Sequence, residues 1–294
     1  MTNNNRTVST DPATLDEARL RASIAAAVDG LRAARPMVGS ITNAVSMEFV
    51  ANAQLAAGAC AAMVYLADEA EALARVGGAL YVNMGTLMDV HAQSIPRAAR
   101  VAHELGTPWV LDPVGIGIGA LREQVLAELR AYRPSIVRGN ATEVIALARL
   151  WGLLDKTTGS SAPADRVVEA TDAVASARGA AVALARWTGG AVAVSGPTDL
   201  VTDGAAVAFS TGGSPLMERV TGFGCSLGGV TAGYAAVTDP FCAACAATAL
   251  YNAAGTRAAG RAEGPASFKA AFVDELYRLS AAEVAANPLT LEEA

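Results

Sequence analysis

Four short apolar runs punctuate the chain, at 79–83 (ALYVN), 108–112 (PWVLD), 135–139 (SIVRG) and 191–196 (AVAVSG), and none alternates apolar with polar residues. Successive side chains of a strand point to opposite sides of its sheet, so a strand with one wet face must alternate. Unbroken runs of Val, Ile and Leu belong to strands covered by helices on both faces. Ala-rich stretches of helical length lie between them at 95–105, 121–131 and 141–151. Strand and helix therefore take turns, and the expected fold is α/β with a mostly parallel sheet.

Each run ends in polar or glycine-rich residues: Asn83-Met84-Gly85-Thr86, Asp112-Pro113-Val114-Gly115, Arg138-Gly139-Asn140 and Ser195-Gly196-Pro197. Ligands of open α/β sheets bind beyond the carboxyl ends of the strands, so these four points are expected along one functional edge. The polar opening, residues 1–14, lacks apolar periodicity and reads as a mobile extension, with 15–294 forming a single domain. Residues 155–172 read as a surface connection within it.

Composition narrows the function classes. With 52% hydrophobic and 17% charged residues, the chain is not disordered over most of its length. Its 22 Lys and Arg against 28 Asp and Glu leave no basic excess for nucleic acid or an anionic membrane, although a local basic pocket for a phosphorylated small molecule is allowed. Four cysteines in a chain this long make no disulfide framework, and no opening stretch has signal-peptide order, so a reducing cytoplasm is expected. The most apolar windows, 220–237 and 241–255, are interrupted by Ser, Thr, Asn and Gly. They read as helices buried between protein layers rather than membrane spans.

The strongest constellation is 220–229 (VTGFGCSLGG), which runs straight into an Ala-rich helix. Glycines at Gly222 and Gly224 let successive N–H groups, with that of Phe223, point into one concavity, and the helix dipole adds positive potential, which suits an anion. A thiol at such a helix start is expected to have a lowered pKa, which makes Cys225 a candidate base or nucleophile. The structural alternative is a close helix-to-sheet contact with a small buried thiol. Asp112, Arg138 and Glu143 supply oxygen ligands for a hard cation such as Mg2+ and a planar donor for phosphate. Asp before Pro is equally ordinary in a turn, and Glu143 in a helix first turn.

Six segments, Ser40-Ile41-Thr42-Asn43, 111–115 (LDPVG), 138–143 (RGNATE), 201–204 (VTDG), 221–225 (TGFGC) and 263–268 (EGPASF), occur in the order and approximate spacing of the hydroxyethylthiazole kinases. The chain resembles that family over roughly 30–280. The resemblance implies a ribokinase-like three-layer α/β/α fold with a mostly parallel central sheet. It also implies ATP-dependent phosphorylation of the primary hydroxyl of 4-methyl-5-(2-hydroxyethyl)thiazole, a step of thiamine salvage. By resemblance, Cys225 takes the place of a catalytic base, Arg138 and Ser195 contact ATP, and Asp112 and Glu143 lie near magnesium. Asn43, Met63 and Gly222 border the thiazole, and the protein is a homotrimer with active sites between subunits.

Two positions depart from the family pattern: Gly39 stands before Ser40 where His-Cys is common, and Phe223 stands at the central Thr of the glycine loop. Both changes are expected near the reaction, where they could reshape the pocket for a different small heteroaromatic alcohol. A binding protein without turnover is a further alternative, against which the retained Asp112, Arg138, Glu143 and Cys225 argue. Cys242 and Cys245 form a C-x-x-C within a helical apolar run and read as buried packing, since no second pair completes a metal set. His91 is expected in a loop and His103 in a helix, and a Cys225/His103 dyad lacks the sequence context of a hydrolase. Trp109 and Trp151 read as core or helix-end residues, and Trp187 as lying at a turn without a stacking partner.

Overall fold

All four apolar runs are strands of one nine-stranded sheet in the computed structural model, which describes residues 16–154 and 170–294. Residues 1–14, expected as an extension, and 155–169 of the expected connection lie outside the described residues. In chain order the elements are α1 (Glu17–Ala34), β1 (Met37–Ile41), α2 (Met47–Ala57), β2 (Cys60–Met63), α3 (Ala67–Val76), β3 (Ala79–Asn83) and α4 (His91–Leu105). They continue through β4 (Trp109–Asp112), α5 (Ala120–Leu129), β5 (Ile136–Asn140), α6 (Ala141–Leu150), α7 (Ala170–Thr188) and β6 (Ala191–Ser195). The last third comprises β7 (Thr198–Thr202), β8 (Ala206–Thr211), α8 (Phe223–Ala235), α9 (Pro240–Ala259), α10 (Pro265–Arg278), α11 (Ala281–Ala285) and β9 (Leu289–Glu293).

Strand order is β2-β1-β3-β4-β5-β6-β7-β8-β9, parallel through β6 and antiparallel beyond it. The two-sided burial inferred from the missing alternation is explicit in β3. Tyr81 packs into a core shared with α1, α2, α8, α9 and α10, whereas Leu80 and Val82 enter a core shared with α3 to α7. Helices on both faces give the three layers. The strands β1 and β2 escape the apolar-run criterion because Gly39 and Ser40 interrupt the first and Ala61-Ala62 dilutes the second.

The windows 220–237 and 241–255 contribute α8 and α9, and nearly every residue of both is buried. No helix among the described residues is long and apolar enough to cross a membrane. Cys242 and Cys245 lie in the α9 core, where burial pushes both thiols up, as expected of packing residues. His91 opens α4 instead of lying in a loop; its Nδ1 accepts from the Met88 N–H at 2.9 Å and its ring is buried. Trp109 and Trp151 are core residues. Trp187 belongs to the last turn of α7, and its ring is stacked by the guanidinium groups of Arg130 and Arg133 at 4.5 and 5.0 Å, a partnership that sequence spacing does not reveal.

Candidate active site

Parallel register carries one side chain from each central strand to the same place. Asn83 pairs with Asp112 across β3 and β4, and Val110 with Ile136 across β4 and β5. The two-residue period then puts Tyr81, Asn83, Asp112 and Arg138 on the sheet face covered by α8. These polar groups satisfy one another. Tyr81 Oη and Asn83 Nδ2 each donate to Asp112 Oδ2 at 3.0 Å, and Arg138 Nη1 lies 3.5 Å from the same oxygen. Arg138 Nη2 donates to Ser195 Oγ at 2.9 Å. From the β1 side, Asn43 Nδ2 donates to Asn83 Oδ1 at 2.9 Å and to Cys225 Sγ at 3.3 Å. Six segments that are remote in the chain thus meet at one rim, with the α8 thiol linked to the Asp112 carboxylate through two amides.

The start of α8 explains the glycine loop. Gly222 caps the helix in the left-handed region at φ 93°, where a Cβ would stand 2.8 Å from Ser46 Cβ, so both backbone angle and space demand glycine. No side chain caps this helix, leaving the first-turn N–H groups of Phe223, Gly224 and Cys225 without intrahelical acceptors. A Cβ on Gly224 would approach Arg138 Nη1 to 2.6 Å, so the guanidinium lies directly against the loop. Amide donors and a cation converge there, which is what a phosphate requires.

Burial governs the electrostatics. Asp112 is fully buried and pushed up to about 6, first by desolvation; the charge of Arg138 opposes this and that of Glu143 adds to it. Cys225 is also pushed up, by burial and then by the charge of Asp112, with Ser46, Asn43 and Arg138 acting in the other direction. The expected lowering of its pKa by the helix start is therefore corrected: desolvation above a carboxylate outweighs the dipole. Arg138 stays protonated despite its burial because Asp112 and Glu143 hold its charge.

Glu143 closes a capping box on α6, its Oε2 accepting from Asn140 N–H at 2.9 Å, so the ordinary helix-start role is present and its charge still reaches Asp112. The residues fit a magnesium ion in one respect: Asp112 Oδ1 is buried without a partner. The described residues hold no cluster of three or more His, Cys, Asp or Glu able to bind a metal. That suits Mg2+, which needs only one or two carboxylates besides water and substrate phosphates.

A cavity of about 640 Å³ opens between Arg138, Ser195 and the β6–β7 turn on one side and Gly222 to Gly224, Tyr251 and Asn252 on the other. Its size is that of a small-molecule site. Asp199 and Asn252 were not anticipated. Asn252 Nδ2 donates to Asp199 Oδ2 at 2.9 Å, and Asp199 Oδ1 accepts from Gly196 N–H at 3.0 Å. The available signal for Asn252 was a lone amide within the apolar run FCAACAATALYNAAG. Asn83 and Tyr81 were quoted in their strand but assigned no part. Met63 ends the edge strand β2 beside Ser40, partly exposed, and does not line the cavity. His103 rides on α4, beyond the opposite face of the sheet from α8, so no Cys225/His103 dyad forms.

The two departures sit differently: Phe223 lines the cavity and Gly39 does not. The Phe223 ring packs among Phe49, Phe272 and Phe268 at centroid distances of 4.9, 4.7 and 5.5 Å, leaving its backbone at the loop. Gly39 faces α3, where a Cβ would meet Leu73 Cβ at 2.8 Å. Phe223 thus borders the cavity with its ring in the aromatic core, and position 39 points to the far layer. Gly39→Ala should lower the unfolding free energy by about 1–3 kcal/mol through overpacking. Its KM for an acceptor should stay at the wild-type value; a changed KM in denaturation-matched assays would return position 39 to the site.

Comparison with known proteins agrees with this geometry. The profile of the hydroxyethylthiazole kinase family matches residues 28–282. The hydroxyethylthiazole kinase of Bifidobacterium adolescentis is 47% identical over 96% of this chain and 99% of its own length. That of Cereibacter sphaeroides is 45% identical over 86% of this chain and 92% of its own. The hydroxyethylthiazole kinase structure from Pyrococcus horikoshii superposes with a TM-score of 0.80 at 32% identity, covering 92% of this chain and 98% of that one. Pyridoxal kinase from Staphylococcus aureus, at 16% identity over 75% of this chain and 88% of that one, has a TM-score of 0.54 and shares the ribokinase-like fold alone. With a family match across most of its length and a buried Asp112–Arg138 pair beside the partly buried Cys225 at the carboxyl edge of its sheet, this chain belongs to the hydroxyethylthiazole kinase family.

Proposed function

We propose that the protein transfers the γ-phosphoryl group of ATP to the primary hydroxyl of 4-methyl-5-(2-hydroxyethyl)thiazole, yielding the thiazole phosphate used in thiamine salvage. The observation that carries this reading is the convergence of the open α8 first turn and the Arg138 guanidinium on one side of Cys225, with Asn43 on its other side. The cavity beside Arg138 and Ser195 is the nucleotide side, and the end of β1 is the acceptor side.

Phosphoryl transfer spreads charge over the γ-phosphoryl oxygens, so positioning and electrostatic stabilisation do most of the work. The Phe223, Gly224 and Cys225 N–H groups and Arg138 receive that charge. Ser195 holds the Arg138 fork in the plane of the cleft through its 2.9 Å contact. Asp112, with Glu143 behind it, would hold Mg2+, which when bound neutralises phosphate charge. Asn43, Met63 and Gly222 border the acceptor, and Cys225 receives its hydroxyl proton. A thiol pushed up by burial is ionised in only a small fraction of molecules at neutral pH and only the thiolate can take the proton, so proton removal contributes less than positioning.

We also read residues 15–294 as one domain, because the same sheet forms a wall of both cores. Met63 on the exposed edge strand, with the exposed apolar Leu55 and Leu66 nearby in the chain, supports a homotrimer in which a second copy completes the acceptor pocket.

ADP release measured with ATP alone, with the thiazole alcohol and with other small heteroaromatic alcohols tests the proposal. ADP formation dependent on the thiazole alcohol is the expected result. ADP only with another alcohol would change the acceptor, and tight thiazole binding without ADP would make the protein a non-catalytic relative. In the same assay Cys225→Ala should slow turnover by about tenfold to a hundredfold; wild-type turnover would remove Cys225 from the mechanism.

A further inference from the structure

We infer that Asn83 is a positioning residue for the reaction: it locks the Asn43 side-chain amide so that an N–H, and not a carbonyl oxygen, is delivered to the sulfur of Cys225. The inference rests on the geometry of five hydrogen bonds whose sense is fixed at each end. Gly85 N–H, which can only donate, bonds Asn83 Oδ1 at 3.0 Å. At its other end Asn83 Nδ2 meets the Asp112 carboxylate oxygen at 3.0 Å. An acceptor oxygen is therefore presented to Asn43, which answers with Nδ2 at 2.9 Å. Ser46 N–H, again a donor only, takes Asn43 Oδ1 at 3.0 Å. Nothing is left for Cys225 Sγ but the remaining Asn43 N–H, at 3.3 Å.

An amide flipped the other way would set oxygen against oxygen at Asn83 and N–H against N–H at Ser46, two buried mismatches at once. All members of the chain except Cys225 are buried, so no water is at hand to repair either. The charged and titratable groups that face the sulfur are Asp112 from β4, Arg138 from β5, Tyr81 from β3 and Tyr251 from α9. Against the first of these, the donated Asn43 N–H, together with Ser46 and the charge of Arg138, favours negative charge on the sulfur. Asn83 never touches the nucleotide or the acceptor; it acts through Asn43.

This deepens the proposed role of Cys225 and rests on it, but its test requires neither nucleotide nor turnover. The purified protein is treated with iodoacetamide at a fixed pH near 7.5, and alkylation of the Cys225 peptide is followed by mass spectrometry, which separates it from the partly exposed Cys60. Asn83→Ala should slow Cys225 alkylation by about tenfold through loss of an oriented hydrogen bond to a charged group. Its kcat should fall while KM for ATP is unchanged. Tyr81→Phe removes a hydroxyl that accepts from Asn83 Nδ2 at 2.9 Å but leaves the bonds to Gly85 and Asp112 that fix the sense of that amide, and should alkylate at close to the wild-type rate. Asn83→Ala that is folded by circular dichroism and alkylates as fast as wild type would overturn the inference, as would an equal slowing in Tyr81→Phe. Should Asn83→Ala not fold, Asn83→Ser takes its place with the same readings, since its shorter side chain still accepts from Gly85 but falls short of Asn43. A loss of activity in Cys225→Ala alone bears on the base, not on this amide lock.

Discussion

Arg138→Met is expected to lower kcat/KM by about a thousandfold, because it withdraws a buried donor fork from the place where phosphate charge develops. The same substitution strips Asp112 of its cationic neighbour at 3.5 Å, and removing one partner of a buried pair costs about 3–5 kcal/mol. Urea unfolding and steady-state kinetics on the same preparation separate the two effects. Folded Arg138→Met protein should fail to turn over at saturating acceptor, and ATP should no longer raise its unfolding midpoint. Stability lost with kinetics intact would reduce Arg138 to an ion-pair partner and remove phosphate binding from this edge of the sheet.

Asp112→Asn should lower activity and change how stability depends on pH. Turnover is expected to fall by about a hundredfold or more, since one carboxylate of the cation set and its charge disappear. The fold loses the carboxylate partner of the buried Arg138 guanidinium, and the pH dependence of its stability changes with it. Asp112 sits near 6 when folded and near 4 in an unfolded chain, so the folded state holds its proton more tightly. Its stabilising contribution is therefore fully present below about pH 4 and lost as pH rises through about 6. Unfolding free energies of the metal-free protein should accordingly rise by about 2 kcal/mol from pH 7 to pH 4 relative to Asp112→Asn. Asp199, also pushed up by burial, titrates in both proteins and cancels in this difference. Equal pH profiles for the two proteins would mean that Arg138 fully compensates the buried carboxylate.

These effects belong to a site whose parts were unequally legible in the sequence. Asp112, Arg138 and Ser195 were readable because each directly ends an apolar run, and parallel register then aligns strand ends without further information. Cys225 was readable from the glycine loop before it. Asn83 ends a strand just as Asp112 does, yet an amide in that position signals little by itself, since its part depends on which groups lie opposite. Asp199 and Asn252 belong to an antiparallel turn and a buried helix that meet only across the cleft.

The two departures show the same boundary. A loop sequence lists side chains without their directions; Phe49, Phe268 and Phe272, from two other helices, create the apolar site that holds the Phe223 ring. Position 39 is placed against Leu73 only by its strand neighbours.

The order of apolar runs and polar ends determined by itself that this chain builds a helix-covered parallel sheet with its chemistry on one edge, because residue period and strand direction are local properties. Which way Phe223 turns, how strongly Cys225 holds its proton and which atom of Asn43 meets the sulfur were decided only by tertiary structure. Burial and hydrogen-bond sense are set by neighbours far away in the chain, 182 residues for Asn43 and Cys225, and no spacing along the sequence carries them.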